Sequence, residues 1–273
     1  PMASGAFGYL GYDMVRYYEP VGKKPEDSLK LPEAILVRPR VVLIFDHLYQ
    51  ELILVGRVSY SINGDAAEAL TEAALDEIES ALDGATPPTP RGQSDRVLEF
   101  TSNKTRDDYH SMVARARDYI HDGDIFQVVP SQRMTSAFPY SSLSYYRALR
   151  SLNPSAFMFH MRLGAAQLVG SSPEILVRVR DGRMSVRPIA GTRPRSDDPA
   201  ENLKRQQNLL ADQKELAEHL MLLDLGRNDV GRVCEYGSVE VTESFVVEHY
   251  SHVMHIVSQV EGNLRKDKTL KDA

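Results

Sequence analysis

The segment Lys214-Glu215-Leu216-Ala217-Glu218-His219 sets two carboxylates three residues apart within a helical pattern, so Glu215 and Glu218 share one face. Leu209, Leu216, Leu220 and Leu223 form the neighbouring apolar stripe. Such a pair suits a hard cation such as Mg²⁺, which takes one or two carboxylates and leaves the rest of its shell to water and substrate. A solvated helix face with a Glu215–His219 pair is the plainer alternative. His249, His252 and His255 raise the question of zinc. Read as a strand, this stretch puts His249 and His255 on one face and His252 on the other, and no Cys or carboxylate pattern accompanies them. A single histidine acting as acid or base stays open. Pro188-Ile189-Ala190-Gly191-Thr192-Arg193-Pro194-Arg195 combines a flexible glycine, a hydroxyl and two arginines, donors able to hold a carboxylate; an ordinary basic loop fits equally well. Ser171-Ser172-Pro173-Glu174 enters the run Ile175-Leu176-Val177. A carboxylate at the start of a buried strand has its pKa raised and can serve as a general acid, whereas a strand-end Glu facing solvent has no such role.

The elements that must position these groups come in clusters. Val41–Phe45 and Leu52–Val55 read as a hairpin around a polar turn near Asp46, and Asp65–Leu82 as a helix. Gly84–Gly92, with three prolines and two glycines, reads as a linker or long loop. Thr105 and Asp108 form a capping-box start for a helix that Gly123 ends. Ile125–Val129, Ala156–Leu163, Ala165–Val169 and Glu174–Val179 are expected strands, and Asp181-Gly182 is a hairpin turn. Asp198-Pro199-Ala200-Glu201 starts a long helical stretch reaching about Leu225, with a break near Asp212. Val239–Val241 and the run from Val246 to Val260 return to strand character. This clustering predicts an α+β fold, with antiparallel β-sheets forming a sandwich-like core flanked by helices. The expected domains are residues 1–92 and residues 97–273.

The 273 residues include 32 Lys+Arg and 38 Asp+Glu, a formal net charge of −6, which disfavours nucleic acid as a partner. Cys234 is the one cysteine, so no internal disulfide forms. No apolar run reaches the roughly 18 residues of a membrane span, and no signal-peptide pattern is seen. The expectation is a soluble, cytoplasmic protein with no membrane partner. Pro1 in place of Met, and a polar stop from Arg265 to Ala273, read as a piece cut from something longer.

The order of the motifs is more specific than any one of them. Gly123-Asp124-Ile125-Phe126-Gln127-Val128-Val129-Pro130-Ser131 is followed by Asn153-Pro154-Ser155, Ser171-Ser172-Pro173-Glu174 and Pro188–Arg193. Lys214–His219, Asp224-Leu225-Gly226-Arg227-Asn228-Asp229 and Ser251-His252-Val253-Met254-His255 complete the series. The series closely resembles the chorismate-utilising enzymes, and within them the anthranilate synthase component I group. Gly8–Asp13 is similar to that group's earlier domain. The resemblance implies that 1–92 is the remainder of the N-terminal region and 97–273 the first part of the chorismate-binding catalytic domain.

Where isochorismate and salicylate synthases carry a lysine base, this chain has Gln127, which fits a nucleophile arriving as neutral ammonia. Where aminodeoxychorismate synthases typically carry a nucleophilic lysine, it has Ala190. The resemblance therefore implies conversion of chorismate and ammonia to anthranilate and pyruvate, the first step of tryptophan biosynthesis, with ammonia from a glutamine amidotransferase subunit. Aminodeoxychorismate synthase component I and a non-catalytic homologue acting as a scaffold are the alternatives. The resemblance makes Glu218 the Mg²⁺ ligand, with Glu215 beside it as a second or occasional ligand. It makes Glu174 the acid that protonates the departing C4 hydroxyl and His255 the histidine of the pyruvate-eliminating step. Gly191, Thr192 and Gln127 become substrate-contacting positions, and Arg227, Asn228 and Asp229 a bracing corner. Ala156, Phe157 and Met158 stand where the family lines its tryptophan pocket. They replace Pro-Tyr-Met, keeping the pocket apolar but losing a hydroxyl and some rigidity, which counts against feedback inhibition. The resemblance also implies an inhibitor-binding motif before Pro1 and further substrate and metal residues beyond Ala273, so the chain by itself is expected to be inactive.

Overall fold

The structure, a computed structural model, describes residues 5–23, 25–58, 64–86 and 97–273. Two compact units divide the chain: residues 1–87 together with 145–273, and residues 88–144. In the first unit β1 (Phe7–Leu10) pairs with β2 (Ala34–Val37). A hairpin of β3 (Val41–Asp46) and β4 (Glu51–Gly56) then leads to α1 (Gly64–Asp83), which packs on it. The hairpin turn is closed by the Asp46 carboxylate, which accepts the Leu48 and Tyr49 N–H groups at 2.9 and 3.1 Å. Of the expected linker Gly84–Gly92, the part from Pro87 on lies outside the described residues.

The second unit holds a short ribbon of β5 (Thr101–Ser102) with β6 (Met134–Thr135), and between them α2 (Arg106–His121). The capping box forms as the spacing predicts: Thr105 Oγ1 accepts the Asp108 N–H at 3.1 Å, and Asp108 accepts the Thr105 N–H at 3.2 Å. Hydrogen bonds from the Thr105 side chain and backbone hold the Asp108 carboxyl below its ordinary range. Gly123, at φ +80°, follows the helix end. Ile125–Val129 is not a strand. Among the described residues it joins no strand ladder, and Phe126, Val128 and Val129 stay exposed.

After α3 (Ser142–Leu152) comes the β7 (Phe157–Leu163) and β8 (Ala166–Ser172) ribbon. Then follow β9 (Arg178–Arg180), β10 (Arg183–Val186), β11 (Ile189–Pro194), α4 (Pro199–Ala211), α5 (Gln213–Val233), β12 (Glu240–His249) and β13 (Val253–Asn263). β13 is the centre of a five-stranded sheet. β12 lies along one of its edges, while β11 and then β10 share the other. Every strand pairing among the described residues is antiparallel, the α+β arrangement the clustering predicts.

Alternation along β13 splits its side chains between two faces. Met254, Ile256, Ser258 and Val260 are wholly buried, in a core shared with Leu209, Leu223, Val230, Val233 and Cys234 of α4, α5 and the residue after α5. Gly262 lets α5 come close: a Cβ there would meet Val230 Cγ1 at 2.8 Å and Cys234 Sγ at 2.9 Å. α5 runs to Val233, past the expected end near Leu225, so Arg227-Asn228-Asp229 lies within the helix and not at a corner. Gly226 does not stop it, because it faces Val186 closely enough to be packed. Val246–Val260 is no single strand either. Tyr250–His252 turn the chain back, so Glu248 pairs with His255 and His249 with Met254.

Candidate functional site

The site is built around an irregularity in β11. The β11–β13 register slips between Ala190 and Arg193, releasing Gly191 and Thr192 from the ladder. Gly191 sits at φ +68°, a conformation that favours glycine. On one side its carbonyl accepts a hydrogen bond from His255 Nδ1 at 2.8 Å, with Thr192 Oγ1 3.1 Å from the same nitrogen. On the other side a Cβ at Gly191 would lie 3.3 Å from Glu215 Oε2 and 3.0 Å from Leu209 Cδ1. One residue thus separates the histidine of β13 from the carboxylate-bearing turn of α5.

Glu174 reaches this place from the link between β8 and β9. It does not stand at the start of a strand: β9 begins only at Arg178, and Pro173 together with exposed Leu176 marks an irregular segment. Ser172 holds it locally, its Oγ accepting the Glu174 N–H at 3.3 Å. Glu174 keeps an exposed edge, yet its carboxyl is desolvated enough to raise its pKa. The Ile189 N–H and the charge of His255 oppose that rise without cancelling it. A cavity of about 490 Å³ lies beside Glu174, lined also by Ile175, Arg187, Pro188, Leu222 and Leu225.

The carboxylate-bearing turn is fixed by Asp212, which ends α4 and caps α5. Its Oδ1 accepts the Lys214 and Glu215 N–H groups at 3.0 and 3.3 Å, and its Oδ2 takes Arg193 Nη2 at 2.8 Å. The Glu215 N–H bond, then the Arg193 bond, hold the Asp212 carboxyl below the ordinary range. Arg193 therefore serves one of the protein's own carboxylates, and Arg195 donates to the Tyr250 carbonyl at 2.7 Å. Glu215 is half-buried, with Arg193 Nη1 3.7 Å and Lys214 Nζ 3.9 Å from its Oε1. Glu218, also half-buried, follows one turn on. No cluster of three or more His, Cys, Asp or Glu ligands occurs among the described residues. Two carboxylates on one helix face, the first of them against the glycine of a neighbouring strand, fit Mg²⁺ completed by water and substrate oxygens, not a closed zinc site.

The Glu215–His219 pair does not form. His219 is wholly buried, and its Nε2 lies 2.7 Å from Ser258 Oγ. Ser258 Oγ also accepts the Phe245 N–H at 3.0 Å, so one hydroxyl ties the imidazole to β12. Phe245, at φ +53°, packs its ring edge-on to the imidazole at 4.8 Å. Burial pushes the His219 pKa down. The other histidines have separate partners: His249 Nε2 is 3.3 Å from Gln206 Oε1, and His252 Nε2 donates to the Leu152 carbonyl at 2.9 Å.

Gln127 is exposed and belongs to the unit of residues 88–144. Ala156 and Phe157 are exposed where β7 begins; half-buried Met158 pairs with Ser171. The Ser171 hydroxyl lies 2.9 Å from the Asn153 carbonyl and from Ser155 Oγ, tying two of the motifs together. Sequence reasoning missed Arg187, Glu248 and Tyr250. Arg187 bonds Glu243 at 2.8 Å and also meets Glu248 and Gln259, while the Tyr250 hydroxyl donates to Glu248 at 2.7 Å. The available signal was basic residues at Arg183 and Arg187 matched by acidic ones at Glu240, Glu243 and Glu248.

An antiparallel α+β fold whose central strand and neighbouring helix bring a histidine and a carboxylate to one glycine, with a second acid near that histidine, fits the family of chorismate binding enzymes. The chain belongs to that family, matching it over residues 1–273. It is 50% identical to anthranilate synthase component 1 of Cereibacter sphaeroides, over 97% of this chain and 53% of that protein. It is 48% identical to anthranilate synthase component 1 of Thermus thermophilus, over 100% of this chain and 58% of that one. The crystal structure of anthranilate synthase component I from Streptococcus pneumoniae superposes with a TM-score of 0.86 at 35% identity, covering 100% of this chain and 60% of the other. The chain thus spans little more than half the length of these relatives. Among the described residues no helix is long and apolar enough to cross a membrane.

Proposed function

We propose that this chain is part of the chorismate-binding subunit of an anthranilate synthase, a cytoplasmic lyase that converts chorismate and ammonia to anthranilate and pyruvate. A glutamine amidotransferase subunit supplies the ammonia. The observation that carries the reading is the meeting of His255, Thr192 and Glu215 at Gly191, with Glu174 near His255, in a chain with Ala190 where a covalent mechanism needs lysine. Glu174, its pKa raised by desolvation, is the acid that serves the departing C4 hydroxyl. The Gly191 carbonyl can only accept, so His255 donates to it from Nδ1 and leaves Nε2 for the substrate in the pyruvate-eliminating step. Gly191 and Thr192 contact the substrate. Glu218, with Glu215 beside it, would hold Mg²⁺, which when bound neutralises the ring carboxylate of chorismate. Ala156, Phe157 and Met158 are the proposed tryptophan pocket.

The test is product formation by the intact subunit given chorismate, Mg²⁺ and ammonium. The 2-amino product, anthranilate, is expected by fluorescence, and Glu218→Gln should abolish its Mg²⁺-dependent formation. A 4-amino product, or full activity in E218Q, refutes the reading.

A further inference from the structure

A row of polar groups, most of them half-buried, lies beside His255 and has no part in the chemistry above. Arg187, on the link from β10 to β11, meets Glu243, Glu248 and Gln259. Glu248 is the cross-strand partner of His255, and its Oε2 accepts the Tyr250 hydroxyl at 2.7 Å. Tyr250 itself lies in the β12–β13 turn and is held at both backbone groups. Its N–H donates to the Val253 carbonyl at 2.8 Å, and its carbonyl accepts from Arg195 at 2.7 Å. With main chain and hydroxyl both tied, the ring has one place to be. It stands against the His255 imidazole at 5.3 Å between centroids and 66° between planes.

His255 is thus held from two sides. Gly191 O takes Nδ1, and the Tyr250 ring limits rotation of the imidazole. A half-turn about Cβ–Cγ would put Cδ2 where Nδ1 stands, lose the bond to Gly191 and misdirect Nε2.

We propose that Tyr250 is a positioning residue for His255: its phenol, tethered through Glu248 to Arg187, holds the imidazole so that Nδ1 keeps the proton and Nε2 faces the substrate. The proposal rests on the reading of His255 as the catalytic histidine. Burial and the bond to Glu248 push the Tyr250 hydroxyl up to about 12, so it remains a neutral donor at working pH. Burial opposes ionisation of Glu248, but Tyr250 and Arg187 outweigh it and keep the carboxyl ionised as the acceptor.

Tyr250→Phe removes the tether and keeps the ring; Glu248→Gln keeps an acceptor for the phenol. ¹⁵N-histidine spectra of the whole chain read the His255 tautomer without any turnover. Kinetics of the intact subunit with chorismate and ammonium read its use. The wild type and E248Q should show the proton on Nδ1. Y250F should show exchange between tautomers, with kcat lower by at least about tenfold and an unchanged KM for chorismate. Wild-type spectra and kcat in Y250F overturn the proposal, since ring packing alone would then suffice. Loss of the tautomer in E248Q also overturns it, assigning the effect to charge. A tautomer change in Y250F in a subunit that makes no anthranilate supports the positioning and refutes the reaction.

Discussion

Gly191→Ala adds one methyl group at the point where β11, β13 and α5 meet. Two costs follow from the geometry. An L-residue held at φ +68° costs about 1–2 kcal/mol. The new Cβ would also lie 3.0 Å from Leu209 Cδ1, 3.3 Å from Glu215 Oε2 and 3.4 Å from Ile256 Cδ1. Leu209 and Ile256 are wholly buried and cannot swing clear, so overpacking adds about 1–3 kcal/mol. The expected loss is about 2–5 kcal/mol, a large share of an ordinary domain's stability of about 5–15 kcal/mol. Gly164 separates the two costs. It has φ +65°, but a Cβ there meets nothing within 4 Å, so Gly164→Ala should cost only the backbone portion. Urea unfolding of the wild-type chain and both variants, at unchanged m-value, measures the difference from the midpoints. Equal midpoints for G191A and G164A would refute the packing of Gly191 between α5 and β13, and with it the geometry on which the site rests.

Glu174→Gln should show a pH signature as well as a catalytic one. The folded-state pKa of Glu174 is raised, so its stabilising contribution is full below the ordinary carboxylate value of about 4.3 and is lost as pH rises through the folded value. E174Q should therefore gain on the wild type in denaturation midpoint between pH 4 and pH 7, while anthranilate formation falls about 10²–10⁴-fold. A constant offset across that range contradicts the raised pKa. Ser258→Ala strands the half-buried Phe245 N–H and the buried His219 Nε2, at up to about 1–3 kcal/mol for each group left unpaired. An unchanged urea midpoint for S258A would rule out that network.

Local signals in the sequence carried through because their physics is local. Thr105 and Asp108 cap a helix with atoms three residues apart, and Asp198-Pro199 starts another in the same way. Asp181 and Gly182 both take positive φ in the predicted turn, and Asp212 breaks the long helix because one carboxylate accepts the first amides of the next. Glu215 and Glu218 share a face for the same reason.

Other features depended on partners far along the chain. Ile125–Val129 has strand composition but joins no strand pairing among the described residues, and Val246–Val260 has the composition of one strand but folds back to pair with itself. His219 stands four residues from Glu215, yet its partner is Ser258, 39 residues on. Burial beside β13 favours that hydroxyl over an ion pair. Glu174 and His255 come near each other through β11, and Arg187 finds Glu248 61 residues away. The sequence by itself determined the caps, turns, helix faces and order of motifs, all set by neighbours within a few residues. Only the tertiary structure decided which groups meet at Gly191, because sheet register and burial are settled by the packing of the whole chain.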